Sequence, residues 1–328
     1  MGFASRHPAV TALGAAAAGV AVWSTVIERR LFTIRRHALP VLAEGAAPIR
    51  VLQLSDLHLA PWQTNKINWV RSLAELRPDL VVLTGDLMGH VQARSSLLEA
   101  LRPLARSGAE LCFVHGSNDY YGPIAKNPMR YLMEPSRKSS REPDIDNVAL
   151  THGLEGLGMI NLNNSAARLE LRGTTVELLG LNDPHIRYDD ASAMREQLTA
   201  LVAEDTSGDE DSADEAEGSP AAAGDRDALR IGVVHAPYQQ ALGELLDDGA
   251  SVILAGHTHG GQVRMPGVGA LTSNCDLPVS QARGLSVWFD AHRAAYLNVS
   301  AGLGNSIYAP VRFACRPEAS LITLEAAR

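Results

Sequence analysis

The residues able to do chemistry fall in five places, each directly after a short apolar run. Ser55-Asp56-Leu57-His58 follows Val-Leu-Gln-Leu, and Gly85-Asp86 follows Leu-Val-Val-Leu-Thr. Gly116-Ser117-Asn118-Asp119 follows Leu-Cys-Phe-Val-His, His235 follows Ile-Gly-Val-Val, and Gly256-His257-Thr258-His259-Gly260-Gly261 follows Val-Ile-Leu-Ala. Taken singly, each is ordinary: Asp-x-His arises by chance, Gly-Asp is a common turn, and a histidine at a strand end is more often structural than a ligand. The ordered set is specific. Its carboxylates and imidazoles are too many for one ion. Mixed oxygen and nitrogen donors suit Mn, Fe or Zn, where an all-oxygen set would suit Mg or Ca.

The elements that must position these groups are legible around them. The apolar runs predict strands at Val51–Leu54, Leu80–Thr84, Leu111–Val114, Val176–Leu181, Ile231–Val234, Val252–Ala255, Tyr296–Val299 and Leu321–Leu324. Between the first two, Ile67, Val70, Leu73 and Ala74 share one helical face, with Arg77-Pro78 as a stop. Further helices are expected over Ala93–Leu104 and Gln239–Leu246. This alternation is that of an α/β protein, in which ligands bind beyond the carboxyl ends of the strands. The polar, Pro-interrupted stretch 120–147 reads as a long loop or lid.

The ordered set resembles the calcineurin-like metallophosphoesterase superfamily, whose pattern runs D-x-H, G-D, G-N-H-D/E, H, G-H-x-H. The likeness covers roughly Arg50 to Leu324, and the runs at 181–185 and 300–313 are similar to the bacterial membrane-associated branch. It implies a β-sandwich flanked by helices, four layers in the order α/β/β/α, with a binuclear centre at one edge. Asp56, His58 and His259 match the ligands of a first metal, Asp86 the bridging carboxylate, and His235 and His257 ligands of a second. Gly-Ser-Asn-Asp read without gaps puts Ser117 at the family's Asn position and Asn118 at its His position; Ser is a poor neutral ligand, so the loop is expected to shift and let Asn118 complete that second site. The family's histidine at this loop is therefore missing. His115 and His185 are the candidates to act in its place, His152 reads as ordinary surface, and Asp119 is expected to orient its neighbours through hydrogen bonds. The implied reaction is attack on phosphorus by a hydroxide held between two cations about 3.5–4 Å apart, with no side-chain nucleophile. A missing leaving-group acid lowers such a rate by about 10²–10⁴-fold without abolishing it.

Charge and the termini bound the substrate. Of the formal net charge of −8, residues 203–227 carry −9 and leave +1 for the rest of the 328-residue chain. That segment lacks aromatic and periodic apolar residues, so a solvated, disordered insertion is expected. A near-neutral body without a broad basic stripe disfavours a nucleic-acid partner. Residues 8–27 carry no charge. Three readings stay open for them: a membrane anchor or interfacial helix, a cleaved secretory signal, or a helix packed on the domain. Arg29, Arg30, Arg35 and Arg36 behind this segment favour the cytoplasmic face for the large domain C-terminal to them. The organisation expected is an apolar helix within residues 1–36 and a catalytic domain over 48–326. The expected substrate is a phosphoester, first a phosphodiester, with a lipid or lipid-linked diester open if the helix is an anchor. A phosphomonoesterase and a non-catalytic metal-binding protein are the alternatives. Lys126, Arg130, Arg137, Lys138 and Arg141 could meet an anionic head group or be a solvated basic loop. Cys112, Cys275 and Cys315 lack any C-x-x-C spacing, which excludes a disulfide scaffold or zinc ribbon. Cys112 is expected to be buried, and pairing of Cys275 with Cys315 is left open.

Overall fold

A computed structural model describes residues 8–123, 142–206, 228–305 and 309–327. The five basic residues of the 120–147 loop, and residues 207–227 of the acidic segment, lie outside these.

The strands are β1 (Thr33–Leu42), β2 (Ile49–Leu54), β3 (Leu80–Thr84), β4 (Glu110–Val114), β5 (Ile160–Asn161), β6 (Ser165–Leu171) and β7 (Thr174–Leu181). After them come β8 (Leu229–Val234), β9 (Val252–Ala255), β10 (Arg264–Met265), β11 (Gly269–Ala270), β12 (Gly284–Phe289), β13 (Ala294–Val299) and β14 (Glu318–Ala326). The α-helices are α1 (Pro8–Val22), α2 (Thr64–Ser72), α3 (Arg94–Ala105), α4 (Asn147–Glu155), α5 (Ala191–Thr206) and α6 (Gln239–Asp247). All eight expected strands and all three expected core helices form.

Two six-stranded sheets result, ordered β1-β14-β2-β3-β4-β5 and β12-β13-β9-β8-β7-β6. Alternation along each strand divides its side chains between two faces. Val51, Val82 and Val114 of the first sheet meet Leu178, Val233 and Leu254 of the second in the space between the sheets. Leu52, Leu83 and Phe113 turn outward onto Leu97, Leu101 and Leu150 of α3 and α4. On the far side, Leu179, Val234 and Ile253 pack on Met194, Leu242 and Leu245 of α5 and α6. This is the expected four-layer α/β/β/α arrangement. Burial on both faces is why these strands read as unbroken apolar runs. A polar bridge ties the sheets near the edge that carries the site: Asn298 Nδ2 donates to Gln53 Oε1 at 2.7 Å, and Gln53 Nε2 donates to the Ala255 carbonyl at 2.9 Å.

Residues 33–42, which overlap the end of the expected 1–36 segment and precede the expected domain start at 48, form β1, paired in parallel with β14 of the domain. The edge position suits its polar residues and Pro40, which would disrupt an inner strand. Before it, α1 runs into a π-helical turn (Trp23–Ile27) and a 3₁₀ turn (Glu28–Arg30). The body of this helix stands clear of the domain: Val10, Leu13, Val20 and Val22 are exposed. Its foot is fixed. The buried Glu28 carboxylate accepts the amides of Cys315 (2.6 Å) and Ala314 (3.1 Å) and the Trp23 indole N–H (2.7 Å), and the Arg312 amide donates to the Ser24 carbonyl. Residues Ala9–Arg30 form one helical stretch long and apolar enough to cross a membrane.

Candidate metal centre

In the first sheet β2, β3 and β4 are parallel, and in the second β7, β8 and β9 are parallel, so each set delivers its carboxyl ends to one edge. The loops leaving those ends meet. Asp56, His58, Asp86, His257 and His259 all have left-handed backbone, with φ of 46°, 38°, 53°, 67° and 50°. Such φ values are uncommon outside glycine, and each costs on the order of 1–3 kcal/mol that the surrounding contacts must offset. The glycines between them permit the close approach. A Cβ on Gly302, itself at φ 68°, would lie 2.5 Å from the Asp56 Cβ, and one on Gly256 would overlap the Ser55 hydroxyl.

Two groups of ligand-type atoms form, Asp56–His58–His259 and Asp56–Asp86–His235. His58 Nε2 lies 3.2 Å from His259 Nε2, and His259 Nε2 lies 3.7 Å from Asp56 Oδ1. Asp86 faces both groups, with Oδ2 3.4 Å from His58 Nε2 and Oδ1 3.5 Å from His235 Nε2. His257 adds its Nδ1, 3.4 Å from His235 Nε2.

These donors fit cations. Asp56 Oδ1 is buried with no hydrogen-bond partner among the described residues, an arrangement that costs free energy unless a positive charge meets it. The outward nitrogens are fixed: His235 Nδ1 donates to the Thr84 carbonyl at 2.8 Å, and His257 Nε2 lies 3.2 Å from the Asn274 carbonyl. Each ring thus turns its other nitrogen to the cluster, the usual arrangement of a ligating imidazole. Burial also holds His58 down to about 4, and holds His257 and His259 well below the ordinary histidine value, so all three offer lone pairs at neutral pH. Burial pushes Asp56 up to about 7, with Asp86 adding to the push and His235 opposing it. Burial acts on Asp86 in the same sense, but His235, His58 and two hydrogen bonds from Asn118 outweigh it and hold that carboxyl below its usual range. His235, despite burial, is raised to about 9 by Asp86, Asp183 and Asp56.

The Gly-Ser-Asn-Asp loop places Asn118 against Asp86. Its Nδ2 donates to Oδ2 at 2.7 Å and its backbone amide to Oδ1 at 2.8 Å. Asp119, fully buried, accepts the amides of Leu87 (2.9 Å) and Met88 (3.0 Å) on Oδ1 and of Gly116 (3.0 Å) on Oδ2. It thereby ties the loop bearing Asn118 to the loop bearing Asp86. Of the two candidate stand-in histidines, His185 lies beside the cluster, its ring centroid 4.5 Å from that of His257 and its Nδ1 3.0 Å from the Tyr238 hydroxyl. His115 points away: it is buried, with Nε2 2.9 Å from the Thr151 hydroxyl on α4. His152 is exposed on that helix. The three cysteines are buried and free, so Cys275 and Cys315 are not paired.

Asp183 is the participant that sequence reasoning passes over. It is fully buried, accepts the His185 amide at 2.9 Å, and is pushed up to about 7 by burial and Asp86 against the pull of His235. The signal is present. Asn182-Asp183-Pro184-His185 directly follows β7, a sixth strand end carrying polar residues into the same edge.

An α/β/β/α sandwich with a carboxylate–imidazole cluster at one edge defines a class of metal-binding hydrolase. Residues 49–261 match the family model of the calcineurin-like phosphoesterases, and the chain belongs to that family. It is a metal-dependent phosphoester hydrolase. Among its relatives, phosphodiesterase YaeI of Escherichia coli is 27% identical over 301 residues, covering 89% of this chain and 88% of its own. The uncharacterized protein YpbG of Bacillus subtilis is 26% identical over 293 residues, covering 89% and 87%. A dimetal phosphatase from Danio rerio, 13% identical, aligns over 80% of this chain and 88% of its own with a TM-score of 0.38.

Proposed function

We propose that the chain is a binuclear phosphodiesterase, acting on a lipid or lipid-linked diester at a membrane surface. The observation that carries the binuclear reading is the placement of Asp86, whose Oδ2 lies beside His58 of one ligand group and whose Oδ1 lies beside His235 of the other. Asp56, His58 and His259 would hold one ion. His235, His257 and Asn118 would hold the other, with Asp86 shared. Two ions of Mn, Fe or Zn, when bound, would supply Lewis-acid charge to the phosphoester oxygens and lower the pKa of the attacking water.

The chain's own residues do the rest. Thr84 and Asn274 orient two of the imidazoles, and burial keeps their neighbours neutral and ready to ligate. Asp119 holds the Asn118 loop in register with Asp86. His185, held by Tyr238 at its Nδ1 and by Asp183 at its backbone amide, lies beside His257, and in this reading its Nε2 would donate a proton to the leaving oxygen in place of the missing loop histidine. The diester preference is supported by the relative named a phosphodiesterase, and the membrane setting by the apolar helix Ala9–Arg30. The basic residues behind that helix favour the cytoplasmic face. The test is metal-dependent hydrolysis of bis-p-nitrophenyl phosphate against p-nitrophenyl phosphate. Faster turnover of the diester is expected. Faster turnover of the monoester contradicts the diesterase reading, and no turnover of either with Mn, Fe or Zn contradicts catalysis.

A further inference from the structure

At the foot of the apolar helix the fold leaves a cavity of about 330 Å³ that the metal cluster does not use. Arg29 and Arg30 line it from the helix, Lys66 from α2, Phe32 and Trp62 from the flanking loops, and Asn305 from the loop after β13. Three of its lining residues are basic, Arg29 and Arg30 as fixed cations and Lys66 with its amine held down to about 7 by burial, and none of the described residues lining it is acidic. Among the described residues neither arginine has a carboxylate partner. Lys66 is buried and its Nζ donates one hydrogen bond, 2.7 Å, to the Leu57 carbonyl between two candidate ligands. The mouth is amphipathic, since the lining residue Trp62 is 60% exposed. Basic groups gathered in a concave site, with the exposed Trp62 indole at its rim and an apolar helix above it, match a molecule that carries a negative charge next to hydrocarbon. Aromatic residues favour the level of the headgroups, and arginines pair with phosphate through two donors at once.

We propose that this cavity binds the phosphate headgroup of an anionic phospholipid, seating the catalytic edge against the bilayer. The proposal rests on the reading of Ala9–Arg30 as membrane-associated. It adds to that reading a built headgroup site, distinct from general attraction between a basic segment and a charged surface.

The test is partition of the full-length chain between vesicles of phosphatidylcholine and vesicles of phosphatidylcholine with phosphatidylglycerol, mixed in one pool. The wild type is expected to favour the anionic vesicles. Replacing both Arg29 and Arg30 by Ala should cut that preference at least about thirtyfold, because each arginine loses its charge-assisted hydrogen bonds to the phosphate. Arg30→Gln alone, at an exposed position, should cut it at least about fivefold through the lost charge-assisted pairing with phosphate and serves if the double variant fails to fold. Arg36→Ala, an exposed arginine outside the cavity, should leave it intact. Asp86→Ala should also leave it intact, which separates this site from the metal reading. Equal losses in Arg36→Ala and Arg30→Gln would reduce the effect to unspecific charge and overturn the proposal. Binding to both vesicle types without preference overturns the cavity assignment alone, while failure to bind either overturns the membrane reading as well. Saturable binding of inorganic phosphate, lost in the double variant and unaccompanied by any vesicle preference, would make this a site for a free anion and overturn the lipid assignment.

Discussion

Asp119 should be worth more to this protein than its lack of direct contact with the ligand-type atoms suggests. Its carboxylate is the sole described acceptor for three buried amides, those of Leu87, Met88 and Gly116, at 2.9, 3.0 and 3.0 Å. Replacement by Ala leaves three buried donors without an acceptor, at about 1–3 kcal/mol each when nothing replaces it. A water entering the space left by the carboxylate would recover part of this, so a loss of about 3–5 kcal/mol is expected. Asp119→Asn keeps the acceptor toward Leu87 and Met88 but sets an amide NH₂ against the Gly116 N–H, and should cost about 1–3 kcal/mol. Leu87 follows Asp86, and Gly116 begins the loop bearing Asn118. Either change should therefore also weaken metal binding by about 10–100-fold, as is usual for groups that orient ligands. Urea denaturation of the metal-free chain reads the first effect, and calorimetric titration with Mn or Zn reads the second. A wild-type urea midpoint in Asp119→Ala would refute the accounting of the three amides. A large destabilisation with unchanged metal affinity would refute the positioning role and leave Asp119 as a core residue only.

Three further outcomes are expected from the same geometry. Asn118→Ala should lower metal affinity by about 10–100-fold while Ser117→Ala changes it little, because the Asn118 side chain is the one placed on Asp86; the reverse ranking in a titration would contradict the site. Glu318 is buried, yet Arg283 and Arg35 outweigh burial and hold its carboxyl below the ordinary glutamate value. The stability it contributes is therefore full above about pH 4.5 and lost as pH falls through the lower folded value. Glu318→Gln should be less stable at pH 7 and show a flatter acid limb in urea midpoints measured from pH 7 to 3; identical slopes would refute this. Arg312, fully buried, donates to the carbonyls of Ala301, Gly302, Gly304 and Cys315, so Arg312→Met should cost about 3–5 kcal/mol and Arg312→Lys should restore only part. Full recovery by Lys, which has no planar fork to reach several carbonyls, would count against that account.

How far the sequence discloses this structure depends on where burial lies. β3 and β9 are buried along their whole length, so their composition alone reveals them. β12 alternates between half-buried and exposed residues, and β6 mixes Ser, Arg and Glu with Ala and Leu; neither stands out from a loop on composition. β1 is a strand because β14 offers it an edge, a long-range fact that the local sequence does not carry. The candidate ligands are legible because five apolar runs each end in Asp, Asn or His. Asp183 obeys the same rule less plainly, since Asn182 separates it from β7 and Pro184 makes the run look like an ordinary turn. The direction of His115 is not legible, since the choice between the cluster and Thr151 is made by α4, and α4 has no strong amphipathic pattern of its own. Arg312 and Glu28 look like surface charges in sequence. They are buried because the foot of the apolar helix and the turn at 312–315 close over them.

The central claim is that Asp86 is shared between two ions. Its most direct test is elemental analysis of the chain purified without chelators, wild type beside Asp86→Ala, with hydrolysis of bis-p-nitrophenyl phosphate measured on the same samples. The account predicts about two ions per wild-type chain with metal-dependent turnover, and loss of bound metal together with turnover in the variant. A wild type that holds a single ion, or an Asp86→Ala variant that keeps both its metal and its turnover, would contradict it.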